Sequence, residues 1–173
     1  MQPEAASFAT FSPILDLMFI TRTASVADAA LISAHRRAMF ASMPNPNPSV
    51  LDAMSRAFEP WVRERIGEGR YIGWIVEEDG RAAGSAGLLI VDWPPHPFHP
   101  EGSQRGYLLN VYVEPEFRKR GLAHGLIERS LAEAHGRGIR VVTLHSSDAG
   151  RPVYEKFGFH PTSEMMFVEP AKD

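Results

Sequence analysis

Apolar positions recur along the chain in two patterns, one typical of helices and the other typical of strands. A spacing of three to four residues predicts a first amphipathic helix that ends near Ala41, a second that begins near Ser49, and a third from Gly121 to Gly136. Runs of apolar and β-branched residues predict strands over 18–21, 71–77, 82–91, 107–113, 139–145 and 164–169. A short helix is expected over about 149–157, between the last two strands.

Turn residues and helix caps mark the boundaries between these elements. Ser25 and Ser49 each stand three residues before an aspartate, an arrangement that predicts a capping box at a helix start. Pro60 is expected to kink or split the second helix, and Asp79-Gly80 predicts a tight hairpin. The proline-rich stretch 93–106 is expected to be a loop. The element order, β-α-α-β-β-β-α-β-α-β, predicts a mixed sheet with helices on both faces.

Composition narrows the functions that the chain can perform. It has 173 residues, the size of one domain, and contains no cysteine, which excludes disulfides, zinc–thiolate sites, iron–sulfur clusters and a cysteine nucleophile. A net charge of −3 gives no general nucleic-acid or membrane signature, and no apolar run has the length of a membrane helix or secretory signal. We expect a cytoplasmic protein that binds neither nucleic acid nor membrane, with residues 1–17 as an N-terminal arm.

The segment from Asn110 to His124 carries the candidate chemistry. A strand ends there, a basic turn follows, and Gly121 opens a helix. The first N–H groups of a helix have no partner within it, and the helix dipole is positive at that end, so such a turn suits a phosphate or pyrophosphate. The turn adds positive charge to a slightly acidic chain through Arg118, Lys119 and Arg120. A solvated basic turn is the alternative interpretation.

The wider pattern resembles the GNAT N-acetyltransferase superfamily. Arg118-x-x-Gly121-x-Ala123, preceded by Val111-Tyr112-Val113-Glu114-Pro115, is similar to its acetyl-coenzyme A signature, and Tyr154-Glu155-Lys156-Phe157-Gly158-Phe159 is similar to its tyrosine box. The resemblance implies an α/β fold of α+β type over 18–173, in which about four helices flank a mixed, mostly antiparallel sheet of six to seven strands. It also implies an acyltransferase that moves an acetyl group from acetyl-CoA to a primary amine of a small molecule or peptide, by direct attack in a ternary complex.

The same resemblance implies roles by position. Val111, Tyr112 and Val113 would offer main-chain groups to the pantetheine arm and the thioester, and Tyr154 would protonate the leaving thiolate. Ser147 stands where many family members have an asparagine that binds the pantetheine arm. The pyrophosphate would be held by Arg118, Lys119, Arg120, Gly121, Leu122, Ala123 and His124. Acetyl-CoA is the expected co-substrate, and no metal is expected.

The acceptor site is expected between the first helix pair and the proline-rich loop. Its candidate lining on the first helix is His35, Arg36, Arg37, Met39 and Phe40, of which the two arginines could meet an acidic acceptor or simply face solvent. The expected substrate residues are Arg37, Phe40, His96 and Asn110. The general base stays open among His96, His99, Glu101, and Asn110 or Tyr112 holding a water. The acceptor itself and a homodimer also stay open.

Two other classes of function are alternatives to an enzyme. The fold could bind acyl-CoA without catalysis, as a sensor or structural module, or it could be a nucleotide-binding regulator. Tyr154 argues against the first alternative, because a pure binding module does not need an acid at that position.

Overall fold

The elements of the fold follow one another in nearly the predicted order within residues 19–169, which are the residues that the computed structural model describes. The strands are β1 (Ile20–Thr23), β2 (Tyr71–Glu78), β3 (Arg81–Asp92), β4 (Gln104–Val113) and β5 (Val142–Thr143). The helices are α1 (Ala29–Ala41), α2 (Pro48–Gly67), α3 (Leu122–Gly136) and α4 (Arg151–Glu155), with short 3₁₀ turns at Val26–Asp28 and Pro115–Phe117. The arm expected over 1–17 lies outside the described residues, so the domain boundary at residue 18 stays a prediction.

A mostly antiparallel sheet forms the centre of the fold. Its strand order is β1-β2-β3-β4-β5, in which β1 to β4 are antiparallel and β5 runs parallel to β4. The predicted hairpin between β2 and β3 is confirmed, because Asp79 and Gly80 have φ values of 50° and 75°, as a two-residue type I′ turn requires. No helix in the described part of the chain is long and apolar enough to span a membrane.

Each face of the sheet packs against its own helices, which confirms the predicted fold class. One core joins the sheet to α3 and includes Trp74, Leu88, Leu126 and Ile139. The other joins the sheet to α1 and α2 and includes Ile32, Val62, Tyr71 and Ile75. Because the central strands are covered on both faces, most residues of β3 are buried.

The C-terminal part of the sheet is smaller than the sequence predicts. The described residues form five strands instead of six to seven, the strand expected over 139–145 is reduced to Val142–Thr143, and 164–169 is not a strand. Met165, Met166, Phe167 and Val168 are 94%, 73%, 87% and 74% exposed, so among the described residues this apolar run has no core to pack on. An apolar run shows that a segment can pair, but not that a sheet edge is available to it.

The capping box predicted at Ser49 is wrong, because α2 already begins at Pro48 and Ser49 lies within its first turn. Asn47 caps α2, because its side-chain oxygen accepts the N–H groups of Ser49 and Val50 at 3.1 and 3.3 Å. Pro48 then occupies the first helical position, where a missing N–H has no cost. Pro60 lies inside α2 and does not split it. Ser25 and Asp28 form the predicted capping box at Val26–Asp28.

Candidate active site

The edge of β4 that faces β5 is open over half of its length. The two strands pair only at Gly106–Val142 and Tyr107–Thr143, so residues 108–113 have no strand on that side in the described part of the chain. On its other edge, β4 stays paired with β3 as far as Val113. Main-chain N–H and C=O groups along an open strand edge can bind an extended ligand as a further strand would.

A β-bulge at Asn110 and Val111 turns β4 at this open edge. The register with β3 shifts so that these two residues stand opposite Ala86 alone, and Asn110 has a left-handed backbone with a φ of 56°. Beyond the bulge, Tyr112 packs on the α1 side and Val113 packs against the core that contains α3. The inserted residue thus directs Asn110 and Tyr112 to one face of the sheet and the two valines to the other.

The turn after β4 leads into an uncapped start of α3. Gly121 precedes the helix with a φ of 81°, and the first bond of the helical ladder runs from the Gly125 N–H to the Gly121 carbonyl. The N–H groups of residues 122–124 consequently have no acceptor within the helix. Since the residue before the helix is a glycine, no side chain caps them either. This arrangement can accept an anion.

The three basic side chains of the turn have different surroundings. Arg120 pairs with the carboxylate of Glu78 at 2.7 Å, which ties the turn to β2. The Nε of Arg118 donates to the main-chain carbonyl of Val113 at 3.0 Å, while the residue as a whole is exposed. Lys119 is also exposed. Two of the three predicted cations are therefore accessible beside the start of α3, and the third serves as an anchor.

The segment that follows α4 contacts the start of α3 through a pair of aromatic rings. The centroids of the His124 and Phe157 rings are 4.4 Å apart. Tyr154 lies one turn earlier on α4, is partly buried, and packs edge-on against Phe159 at 5.9 Å. Burial raises the pKa of the Tyr154 hydroxyl above its ordinary value of about 10. The tyrosine box is thereby held near the helix start, with its hydroxyl protonated at neutral pH.

A cavity of about 560 Å³ opens between α3, β5 and α4. It is lined by Leu131 of α3, by Tyr154 of α4, and by Leu144, Phe157 and Phe159 from the segments that follow β5 and α4. Ser147, predicted to bind the pantetheine arm, accepts the Gly150 N–H through its hydroxyl at 3.2 Å and through its carbonyl at 3.1 Å. The hydroxyl of Ser147 thus stabilises the turn before α4.

A buried polar group lies on the α1 face of the bulge. His35 is 3% exposed, with its Nδ1 2.8 Å from the Ser85 hydroxyl and its Nε2 3.6 Å from the Glu114 carboxylate. The Tyr112 ring lies 5.1 Å from the imidazole, and its hydroxyl donates to Glu114 at 3.1 Å. Burial lowers the pKa of His35, an effect that Glu114 only partly opposes, so the imidazole is neutral at neutral pH. Burial and the bond to Glu114 raise the pKa of Tyr112.

A second polar group joins α1 to the bulge itself. A terminal nitrogen of Arg36 donates to the Asn110 side-chain oxygen at 2.7 Å, and the Asn110 amide nitrogen donates to the Tyr71 hydroxyl at 3.0 Å. The guanidinium lies over the rings of Phe40 and Phe58, at 4.9 and 4.7 Å from their centroids. Tyr71 is buried, which raises its pKa to about 12. The network fixes both the bulge residue and the guanidinium.

Two of the four predicted substrate residues, Asn110 and Phe40, belong to this second group. Arg37, also predicted to contact substrate, pairs with Asp52 at 2.7 Å and ties α1 to α2 near the surface. Its neighbour Arg36 lies over the sheet instead. The structure thus brings Arg36, not Arg37, to the bulge.

The remaining predicted substrate residue, His96, lies in the loop over 93–103. Its Nδ1 accepts the main-chain N–H of Phe98 at 3.3 Å, and Phe98 lines the cavity beside α4. His99, one of the candidate bases, packs near Trp93 and Val141. Within residues 19–169, no group of three or more His, Asp or Glu side chains has the arrangement of a metal site. The absence of a metal stays a prediction.

Sequence reasoning missed three residues that complete the two polar groups. Ser85 carried a usable signal, because a hydroxyl within an otherwise apolar buried strand needs a hydrogen-bond partner. Glu114 is part of the motif between β4 and the basic turn but received no role of its own. Tyr71 gave no signal, since tyrosine is a common residue in strands.

Comparison with known proteins decides the family. Residues 30–159 match the sequence model of the acetyltransferase (GNAT) family. The chain belongs to this family. A GCN5-related N-acetyltransferase from Ralstonia eutropha has the same fold, with a TM-score of 0.83 and 38% identity, over 87% of this chain and 98% of its own. A predicted acetyltransferase from Clostridium acetobutylicum, solved with acetyl-CoA, gives a TM-score of 0.76 and 28% identity, over 88% of this chain and 96% of its own.

A further relative of the chain in the GNAT family is named for its acceptor, a sugar phosphate. The glucosamine 6-phosphate N-acetyltransferase of Trypanosoma brucei brucei is 34% identical over 90 residues, which are 52% of this chain, and the match spans 58% of the relative's length. The predicted GNAT membership is confirmed. The acceptor of this GNAT chain has to be argued from its own site.

Proposed function

We propose that this protein transfers an acetyl group from acetyl-CoA to a primary amine. The observation that carries the proposal is the open edge of β4, which bulges at Asn110 and leads into the uncapped start of α3. An extended pantetheine arm fits the main-chain groups of 108–113, and a pyrophosphate fits the N–H groups of 122–124. Membership of the GNAT family and the relative solved with acetyl-CoA support the same co-substrate.

The co-substrate is proposed to approach along the α3 face. Gly121 has no side chain that would keep the phosphate oxygens from the main chain, and the exposed Arg118 and Lys119 add positive charge. The residues assigned to the pyrophosphate are those predicted from the sequence, with Arg120 as an anchor of the turn. Val111 and Val113 belong to the open edge of β4, where their main-chain groups would contact the thioester end.

The reaction is proposed to be a direct transfer between the two substrates. The amine nitrogen attacks the thioester carbonyl carbon, the C–N amide bond forms, the C–S bond breaks, and coenzyme A leaves as a thiol. A main-chain N–H of Val113 or a near neighbour would stabilise the oxyanion. Tyr154 would donate its proton to the leaving sulfur; because burial raises its pKa, the hydroxyl is protonated at neutral pH before the transfer. An acyl-cysteine intermediate is excluded because the chain has no cysteine.

The amine has to lose a proton on the opposite, α1 face. An amine with a pKa near 10.4 is neutral in only about one molecule in two thousand at pH 7. Glu114 is 31% exposed and is bonded to the Tyr112 hydroxyl on that face. We assign to Glu114 the role of accepting this proton through a water molecule.

A turnover assay with free-thiol detection tests the proposal. The protein is mixed with acetyl-CoA and a panel of primary amines, and release of coenzyme A is expected only when an amine is present. Binding of acetyl-CoA without release for any amine would identify a non-catalytic acyl-CoA-binding module. Binding of ADP as tight as that of coenzyme A would identify a nucleotide-binding regulator.

A further inference from the structure

Arg36 is a cation without a counter-ion at the acceptor face. Among residues 19–169 its guanidinium pairs with no carboxylate; its hydrogen bond goes to the neutral Asn110 oxygen, and its Nε is buried without a partner. The adjacent Arg37 shows the ordinary arrangement, since it pairs with Asp52 at 2.7 Å. Both arginines are partly buried, but only Arg37 has a carboxylate partner among the described residues.

The surroundings of Arg36 favour an anion. The Phe40 and Phe58 rings lie within 5 Å of the guanidinium carbon and exclude water from part of it. Burial lowers the pKa of Arg36, which reflects the cost of holding this charge out of water. Contacts with aromatic rings offset only part of such a cost, and buried charges are normally paired. A carboxylate or phosphate would supply the missing charge and accept from the planar guanidinium.

The position of Arg36 connects this anion to the reaction. Its hydrogen-bond partner, Asn110, is the bulge residue of the strand on which the thioester is proposed to lie. The guanidinium is on the α1 face, opposite the face proposed for the co-substrate. A small acceptor molecule could therefore carry both an anionic group bound by Arg36 and the amine that attacks the thioester.

We propose that the acceptor carries an anionic group, a carboxylate or a phosphate, close to its amine and that Arg36 binds this group. The inference rests on the proposed acetyl transfer and names the class of acceptor. The guanidinium would orient the amine towards the bulge. Its positive charge would also favour the neutral, nucleophilic form of the amine and disfavour acceptors that carry several positive charges.

Matched acceptors test this inference. The pairs are glucosamine 6-phosphate against glucosamine, and alanine against alaninamide, each assayed with wild type, Arg36→Met, Arg36→Lys and the control Arg56→Met. Arg56 is an exposed residue of α2, so its substitution removes the same charge away from the bulge. For each variant the kcat/KM ratio of the charged to the uncharged member is measured. Normalising to wild type removes the intrinsic reactivity of the amines.

The expected result is specific to the charged acceptors. For the phosphate pair, the carboxylate pair or both, Arg36→Met should lower the ratio about ten- to hundredfold, as for the loss of a charge-assisted hydrogen bond. The kcat/KM for the uncharged members should fall by a smaller factor, because they lose only the effect of the charge on the amine and the hydrogen bond that fixes Asn110. The KM for acetyl-CoA should change less still. Arg36→Lys should retain part of the preference, and Arg56→Met all of it. The pair that responds identifies the source of the anion.

A ratio that Arg36→Met leaves unchanged in both pairs would overturn the inference, while turnover of the uncharged amines would still support acetyl transfer. If no amine is turned over, the acetyl transfer fails, and calorimetry decides the anion site separately. In that experiment inorganic phosphate and acetate are titrated into the protein saturated with coenzyme A. Binding that Arg36→Met weakens at least tenfold supports the site, and equal binding by both proteins overturns it.

Discussion

The two faces of β4 offer different kinds of groups for binding. On the α3 face the available groups are mostly main-chain ones, along the open edge and at the start of α3. On the α1 face they are side chains, in the groups built around His35 and Arg36. Main-chain groups recur in any sequence with this fold, whereas the side chains are particular to this chain. The first face therefore suits a co-substrate shared across a family, and the second suits an acceptor that differs between members.

The largest effect is expected from Tyr154→Phe, on the co-substrate side. This change removes one hydroxyl and keeps the ring that packs against Phe159. We expect kcat to fall about 10²–10⁴-fold, the usual range for a lost general acid, with a much smaller change in KM for acetyl-CoA. Single-turnover detection of the free thiol measures the chemical step. Tyr107→Phe is the control, because it removes a tyrosine hydroxyl of β4 that contacts His145 and has no proposed role in the reaction. An unchanged rate of the chemical step in Tyr154→Phe would show that Tyr154 contributes only packing.

The next effect separates main-chain binding from acceptor binding. Gly121→Asp should weaken coenzyme A binding about hundredfold, because the carboxylate would stand beside the pyrophosphate and the backbone has a φ of 81°. Gly121→Asn is the matched control, since asparagine tolerates this backbone and has no charge, and it should lose much less. Calorimetry measures both. Equal affinities of wild type and Gly121→Asp for coenzyme A would show that the pyrophosphate does not bind at the start of α3.

A smaller effect is expected on the acceptor face. Glu114→Gln keeps a hydrogen-bond acceptor for Tyr112 but removes the charge that is proposed to take the proton. We expect kcat/KM for the amine to fall about tenfold near pH 7, with KM for acetyl-CoA unchanged. The loss should shrink as the pH rises, because the free amine then deprotonates in solution. A loss that is the same at every pH would indicate a structural role for Glu114.

The smallest effect concerns the stability of the acceptor face. The folded pKa of His35 is below the unfolded value of about 6.5, so the unfolded chain binds a proton that the folded chain resists. The contribution of neutral His35 is present above pH 6.5 and is lost as the pH falls from there towards the folded pKa, by at most about 1.4 kcal/mol per pH unit. We expect the melting temperature of wild type to decline more between pH 7 and 5 than that of His35→Gln. Parallel declines would show that His35 titrates as in the unfolded chain.

The co-substrate side was largely predictable because its signals are local. Gly121, the basic turn and Asp79-Gly80 each specify a backbone conformation through a few consecutive residues, and the structure has those conformations. The acceptor side combines residues from three distant elements, so no single stretch reveals it. The bulge at Asn110 leaves no mark in the apolar run 107–113, because it adds one residue without changing the composition of the strand.

The choice between Arg36 and Arg37 shows a signal that the sequence did contain. Successive residues on a helix point about 100° apart, so only one of two adjacent arginines can face the sheet. Ile32, His35 and Arg36 are spaced by three and four residues and share one face of α1, and the structure buries Ile32 and His35. The strand predicted over 164–169 is absent, and here the sequence contains no such signal. Nothing in these residues indicates whether a sheet edge is available for pairing.

The bulge also fixes which residues of β4 lie on which side of the sheet. Before the bulge, odd-numbered Leu109 belongs to the α1–α2 side and even-numbered Gly106 faces the α3 side. Beyond the bulge this parity is reversed, with Tyr112 on the α1 side and Val113 on the α3 side. Deleting one residue there would restore a single parity along the strand and exchange the faces of Tyr112 and Val113. A phenol would enter the apolar core beside α3, and a valine would face His35. Both binding faces thus depend on a count of residues in one strand, which makes a one-residue deletion there more damaging than most single substitutions.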